Sequence, residues 1–283
     1  MTARNLAPEK ALTEGYAAVG HSLPRKDALL KAVGEAQYCA DTSLDGMLYM
    51  AARYAPAPCG RIRRIDISRA ERLSGVHKIL LAKDLPHAKL FGIIVPDTPV
   101  ICGDLFRHVG DVLALVAAES QEVADEAVAL IEVDYEEVPG VFSVEEALLP
   151  GARPVHEEHP RALDSGRNIF SHFKIRKGNA EEALRGSPVI VENTYRTQMV
   201  DPAYIETDMG LAIPHRDGSL TLTGPMQAPF LLRRAVDRML GLPHSKIRVV
   251  STMTGGGFGT KEESSTEILG RAGLMALLTE RPV

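Results

Sequence analysis

Cysteine is scarce in this chain: Cys39, Cys59 and Cys102 are the three thiols in 283 residues. They lie far apart with no paired metal-ligand spacing, so the chain has no iron–sulfur motif of its own. They read as buried, inert thiols of a reducing compartment. Basic charge is not in excess either. Lys and Arg number 32 against 37 Asp and Glu, a net charge of −5, which argues against a nucleic-acid surface as the main function. No stretch approaches about 18 uninterrupted apolar residues, so no transmembrane helix is expected. The start, Met1-Thr2-Ala3-Arg4-Asn5, has no apolar core of a secretory signal. Internal repeats and low-complexity segments are also missing. The expectation is a soluble, cytoplasmic protein. What the chain does have is apolar content, 45%, ample for a core, and a length that suggests about two domains.

Hydrophobic periodicity predicts a mixed α/β (α+β) chain. Residues 1–27 read as an N-terminal arm. Met47 to Tyr54, Arg61 to Ser68 and Val76 to Ala82 read as strands, the second half-buried because Ile62, Ile65 and Ile67 are spaced among arginines. Asp111 to Ala118 is a continuous apolar run, the mark of a strand covered on both faces. Ser120 is placed to cap the helix that follows, with Val123, Ala127 and Leu130 on one face. Ile131 to Tyr135 returns as a strand. This strand–helix–strand pattern sets a first domain at 28–145. Residues 146–168, with Pro150, Pro154, Pro160, Gly151 and Gly166, read as a linker. In 169–283, Ile169 to Arg176, Val189 to Thr197, Gly210 to Ile213 and Ser219 to Thr223 read as strands. Asn179 caps a short helix to Arg185. Pro229 suits the first turn of a helix with the stripe Leu232, Val236 and Leu240, ended by Gly241 and Pro243. Lys246 to Ser251 is a strand, and a last helix runs from about Glu262 to Leu278.

The most informative stretch is Gly255-Gly256-Gly257-Phe258-Gly259-Thr260-Lys261-Glu262-Glu263. Four glycines in five residues sacrifice backbone order and side-chain packing. They lie between a strand and a helix start, where free N–H groups favour an anionic ligand. One reading is an anionic-cofactor site; the other is a flexible glycine turn. Two phosphate loops fail. A Walker A loop needs Gly before Lys261 and a hydroxyl after it, and finds Thr260 and Glu262. A dinucleotide fingerprint needs a sixth-position glycine and again finds Thr260.

These segments together resemble the molybdenum-binding subunit of the xanthine dehydrogenase / aldehyde oxidase family. Ala36-Gln37-Tyr38-Cys39-Ala40-Asp41, Arg53-Tyr54-Ala55-Pro56, Val109 to Ala118, Ala124 to Ala127 and Ile131 to Tyr135 resemble its α/β hammerhead domain. Gln227-Ala228-Pro229 resembles its Thr-Gln-x-Pro segment, and Gly255 to Glu262 its Gly-Gly-Gly-Phe-Gly-Gly-Lys-Glu loop. The resemblance implies a hammerhead-like domain over 28–145 and the first portion of a molybdopterin-binding domain over 169–283. It implies hydroxylation of an N-heterocycle such as a purine, or of an aldehyde, with water as oxygen source. It implies a molybdenum–molybdopterin cofactor, with iron–sulfur and FAD groups on partner chains. A complementary molybdenum-subunit half, which in the family supplies a catalytic glutamate base, is then either a further partner, as in family members with a split subunit, or the rest of a longer subunit of which this chain is a fragment. The alternative is a truncated, non-catalytic subunit that acts only in assembly or docking. A generic phosphate-ligand binder is a third reading.

By the resemblance, Gln227, Gly256, Gly257, Phe258 and Gly259 are the cofactor-binding residues and Glu262 faces substrate. The Gln227 amide would donate to an oxygen ligand of the metal; otherwise it caps the helix after Pro229. Phe258 and Gly259 would offer N–H groups; otherwise Phe258 packs as core. Glu262 is otherwise a solvated first-turn carboxylate. Lys261 reads as a structural or phosphate-near cation. Four departures from the family pattern stand out: Pro202, Thr207, Phe230 and Thr260, the last removing φ > 0 freedom at its position. His156 and His159, beside Glu157 and Glu158, could ligate a metal but read as exposed linker residues. Asp201, Glu206 and Asp208 form an acidic cluster with no assigned role.

Overall fold

The computed structural model describes residues 16–156, 168–169 and 171–283. Most of the expected N-terminal arm, 1–15, and the middle of the expected linker, 157–167, lie outside the described residues. A short helix α1 (Ala28–Ala32) leads into strands β1 (Tyr49–Tyr54), β2 (Gly60–Asp66) and β3 (Val76–Leu80), then three short strands, β4 (Leu90–Phe91), β5 (Thr98–Pro99) and β6 (Leu105–Phe106). Strand β7 (Val112–Ala118) is buried at every residue, as its unbroken apolar run requires. It pairs antiparallel with β1 on one side and β3 on the other. Helix α2 (Gln121–Ala129) starts at Ser120, whose hydroxyl accepts the Val123 N–H. Strand β8 (Glu132–Glu137) then pairs with β2, which also pairs with β6. The short helix α3 (Val144–Ala147) is capped by the Ser143 hydroxyl.

Helix α4 (Ala180–Arg185) begins at Asn179, whose side-chain oxygen accepts the Glu182 N–H. The strands expected at 169–176 and 189–197 are not formed. Residue 170 lies outside the described residues; 171–200 are otherwise exposed throughout, and none of them belongs to a strand. Alternating side chains give a segment the preference for a strand, but a ladder also needs a neighbour, and no described segment lies alongside.

A second α/β unit follows: β9 (Leu211–Pro214), β10 (Leu220–Gly224), helix α5 (Pro229–Leu240), β11 (Ile247–Ser251) and helix α6 (Ser264–Thr279). Proline opens α5, its apolar stripe buries Leu232, Val236 and Leu240, and Gly241 closes it at φ 64°. Strands β10 and β11 are parallel, with Gly224 opposite Ser251, and α5 is their crossover. The last helix starts later than expected, because Thr260–Glu262 form a 3₁₀ turn first.

The largest hydrophobic cluster draws on both regions, joining Leu48, Leu80, Val100 and Leu115 to Leu220, Leu222, Leu240, Leu269 and Met275. A backbone bond from the Leu48 N–H to the Pro282 oxygen, and one from the buried Arg271 side chain to the Val100 oxygen, tie the two together. The stretch α6 presents to this core is broad, so its helix is apolar on most faces. All three cysteines are buried, and burial pushes the Cys39 and Cys102 thiols up, with nearby Glu206 and Asp111 adding to it.

Candidate cofactor-facing site

The carboxyl ends of parallel β10 and β11 deliver two loops side by side, one carrying Gln227 and one carrying Gly255 to Gly259. Loops at such ends are where open α/β sheets bind ligands, because the crossover helix leaves a crevice there. The loops are laced together. Thr252 N–H donates to Gly224 oxygen, Gln227 N–H to Lys261 oxygen, and the Ser265 hydroxyl to Pro225 oxygen at 2.7 Å.

Gln227 does not cap α5; that helix has no side-chain cap. Its side-chain oxygen instead accepts the Gly259 N–H at 3.0 Å. This leaves the Gln227 amide NH₂ with no bond among the described residues, in an exposed position. The Gly259 N–H is therefore already taken, a correction to its expected role as a donor to ligand. Phe258 is 80% exposed, not core. The N–H groups of Gly256, Gly257 and Phe258 have no partner among the described residues, so those three and the Gln227 amide are the donors the loop presents.

Each glycine here has its own cause. A Cβ on Gly257 would lie 2.5 Å from the Gln227 side-chain oxygen. A Cβ on Gly255 would meet the Glu206 Cβ at 2.7 Å. Gly256 and Gly259 sit at φ 128° and 104°, where side chains are strained. Thr260 has no positive φ, so the freedom it gives up is not needed. The positive value falls instead on Phe258, at 47°.

Beneath the loop lies a post built on Lys261, read from sequence as a structural or phosphate-near cation, and on Glu206, which sequence reasoning left without a role. Lys261 is fully buried and donates to both the Glu206 carboxylate, at 2.6 Å, and the Glu206 backbone oxygen, at 3.0 Å. The same carboxylate oxygen accepts the Gly255 N–H at 2.6 Å. The Lys261 ammonium also stands 4.7 Å from the Tyr204 ring centre, and the Tyr204 hydroxyl donates to Asp208 at 2.6 Å. One oxygen each of Glu206 and Asp208 is buried without a partner among the described residues. Lys261 is thus a structural cation, unavailable to a phosphate. From the other side, Lys31 donates to Thr254 oxygen at 2.9 Å while paired with Asp27. The signal that could have exposed this post is Tyr204, Glu206 and Asp208 on alternate positions just before an apolar strand. Asp201 only caps its own turn, accepting the Ala203 N–H.

Glu262 is exposed and lines an open groove of about 490 Å³ with Tyr54, Asp208, Gly259, Thr260 and Arg271. That size suits a small organic ligand. No group of three or more potential metal ligands exists among the described residues; His159 lies outside them. No described helix is long and apolar enough to cross a membrane. Phe230 is exposed, with the Arg233 guanidinium 5.6 Å from its ring centre.

Comparison with known proteins agrees with this geometry. The family described as molybdopterin cofactor-binding domain matches residues 160–283. The aldehyde oxidase and xanthine dehydrogenase a/b hammerhead domain matches residues 33–139. The chain belongs to the xanthine dehydrogenase / aldehyde oxidase family of molybdenum-binding subunits. It is 37% identical to a probable xanthine dehydrogenase subunit of Bacillus subtilis over 92% of its own length and 33% of that protein's. It is 34% identical to the nicotinate dehydrogenase large molybdopterin subunit of Eubacterium barkeri, over 95% of this chain and 61% of that one. The aldehyde oxidoreductase of Desulfovibrio desulfuricans superposes with a TM-score of 0.81 at 28% identity, over 93% of this chain and 30% of that one. The chain therefore spans between a third and three-fifths of these two curated relatives.

Proposed function

We propose that this chain contributes the cofactor-facing loops of a molybdenum hydroxylase acting on an N-heterocycle such as a purine, or on an aldehyde. The overall change is R–H plus water to R–OH, two protons and two electrons. The observation that carries the reading is the Gln227–Gly259 bond, which fixes an amide whose NH₂ stands beside three N–H groups, all without a partner among the described residues. That donor set fits a ligand rich in acceptor oxygens, and the missing Cβ of Gly257 leaves room for the Gln227 side-chain oxygen that holds it.

When bound, the molybdenum–molybdopterin cofactor supplies the two-electron oxidation. The chain's own residues bind and orient. The Gln227 NH₂ and the Phe258 N–H donate to the cofactor's oxygens. Gly257 gives the Gln227 side chain its room, and Gly256 supplies the backbone angle that turns the loop's N–H groups outward. Glu262, at the mouth of the groove, accepts a hydrogen bond from a substrate ring N–H and holds the ring edge-on. The Glu206–Lys261 post keeps the loop at its height. Iron–sulfur and FAD groups belong to partner chains. The remaining part of the molybdenum subunit, a complementary half, supplies the catalytic base. The Eubacterium barkeri relative supports this division: a match of similar extent fills a much larger share of it than of the Bacillus protein.

The test is a pair of variants in the complete assembly. Gly257→Val puts a branched side chain onto Gln227 and displaces the amide, so molybdenum and pterin content should fall together. Glu262→Gln should leave both contents at the wild-type level while turnover or substrate affinity drops about 10- to 150-fold, the worth of one charge-assisted hydrogen bond. Full molybdenum in Gly257→Val would remove the loop from the cofactor. A silent Glu262→Gln would make Glu262 only a solvated carboxylate.

A further inference from the structure

One peptide group at the root of the glycine loop is held at both of its ends by charge. The Thr254 carbonyl oxygen accepts from the Lys31 ammonium at 2.9 Å, and the Gly255 N–H donates to the Glu206 carboxylate at 2.6 Å. Both atoms belong to one planar unit, so the two bonds fix the plane and not only a point on it. Through this plane the chain enters Gly255 to Gly259, whose glycines would otherwise let it wander. Its orientation sets the direction from which the N–H groups of Gly256, Gly257 and Phe258 start. Hydrogen bonds with one charged partner are the strong ones, and both of these are of that kind.

Lys31 comes from α1, 223 residues away in sequence. Its amine is itself held. Asp27, one helical turn earlier, takes it at 2.9 Å, and Arg25 reaches the same carboxylate at 2.8 Å. The Lys31 amine, and after it the Arg25 guanidinium, pull the Asp27 carboxyl down to about 2, so the partner of the amine is a carboxylate and not an acid. The segment makes a second contact of the same kind further on: the Cys39 thiol donates to the Thr223 oxygen at 3.6 Å. Thr223 lies near the carboxyl end of β10, the strand that leads to Gln227. The segment from Asp27 to Cys39 therefore reaches the root of each cofactor-facing loop.

We propose that Lys31 is a positioning residue for the cofactor: with Glu206 it sets the Thr254–Gly255 peptide plane, and through that plane the direction of the loop's donors, without touching a ligand itself. A lysine that served only to pin α1 to the body could take any surface carbonyl. Lys31 takes the one carbonyl whose own peptide N–H is bonded to the buried post. Without the ammonium, Glu206 holds the N–H alone and the plane can pivot about that bond. The loop must then be ordered when the cofactor binds, and that cost appears as lost affinity. Coupling of this kind is reciprocal, so a cofactor that orders the loop also tightens the hold on α1.

The inference rests on the reading that the glycine loop faces the cofactor, and Gly257→Val separates the two. Variants are made in the complete assembly, and molybdenum content, pterin content and amide hydrogen exchange are measured. Lys31→Met should weaken cofactor binding about tenfold, the lower end for a hydrogen bond with a charged partner, read as lower molybdenum and pterin content. Lys31→Arg keeps a charged donor and should restore both contents. Asp27→Asn keeps the amine but loosens its hold, and should fall between Lys31→Met and the wild type. Without cofactor, the Gly255 amide should exchange about tenfold faster in Lys31→Met. In the wild type, loading the cofactor should slow exchange of the Lys31 and Val33 amides in α1. Ser120→Ala removes a helix cap on α2, so it lowers stability elsewhere and should leave cofactor content unchanged. Wild-type contents in Lys31→Met, with Gly257→Val depleted, overturn this inference and spare the loop. Equal depletion in Lys31→Met and Ser120→Ala makes the effect general instability and overturns it as well. Should Lys31→Met not assemble, the wild type and Asp27→Asn carry the decision: α1 amides indifferent to cofactor, or full contents in Asp27→Asn, overturn the proposal. Full molybdenum in Gly257→Val overturns both readings.

Discussion

Replacing Lys261 by methionine keeps an unbranched stem in a fully buried position and removes only the ammonium. The loss falls on Glu206. Its one bonded oxygen would keep the Gly255 N–H alone, and its other oxygen already has no partner among the described residues. A carboxylate only 9% exposed would then hold its charge on a single hydrogen bond. Removing one partner of a buried ion pair costs about 3–5 kcal/mol, because the desolvated charge that remains is uncompensated. The Tyr204 ring, 4.7 Å from the ammonium, loses its cation as well. Against a total stability of about 5–15 kcal/mol for a domain, this is a large fraction.

Urea unfolding of the two proteins measures it. The midpoint should fall by the equivalent of about 3–5 kcal/mol for Lys261→Met. Combining Lys261→Met with Glu206→Gln removes both charges, so the double variant should be more stable than Lys261→Met alone. That non-additivity is the signature of a coupled pair. A cost under about 1 kcal/mol, the range of solvated pairs, would refute the reasoning and make the post a surface contact.

Limited proteolysis should cut first within 146–168, where proline and glycine cluster; first cuts inside 110–135 would count against the linker. The purified chain alone should show no hydroxylation of purines or aldehydes, since a positioned base contributes about 10²–10⁴-fold and belongs to the complementary part. Near-normal turnover by the chain alone would refute that division.

The strands and helices that carry their own partners were legible in the sequence. Strand β7 announced itself by an apolar run, α2 by Ser120 and α5 by Pro229 and Gly241, and each lies within one or two residues of its expected span. The strands expected at 169–176 and 189–197 failed for a physical reason: side-chain alternation is local, whereas a ladder needs a second chain segment. At the site, Gln227 and the glycine run were legible by spacing. The post was not. Glu206 and Lys261 stand 55 residues apart in sequence, and nothing local says that a carboxylate and an amine will be buried together. Thr260 misled in the opposite direction, because the positive φ that a glycine would provide is needed at Gly259 and Phe258 instead.

These particulars argue against the flexible turn, one of the two readings that the glycine run left open. A flexible turn would leave its ends loose and its glycines interchangeable. Here Lys31 holds Thr254, Glu206 holds Gly255, and Gln227 holds Gly259. Gly255 yields room to Glu206, Gly257 to Gln227, and Gly256 and Gly259 supply backbone angles that other residues resist. The loop is anchored on three sides, and its remaining N–H groups are fixed in direction before any ligand arrives. Binding then orders little of this chain, so the free energy of each hydrogen bond to a ligand is not offset by a loop-ordering cost. Glycine in this loop serves close packing and preset geometry, which is why a rigid donor array can be built from the most flexible residue.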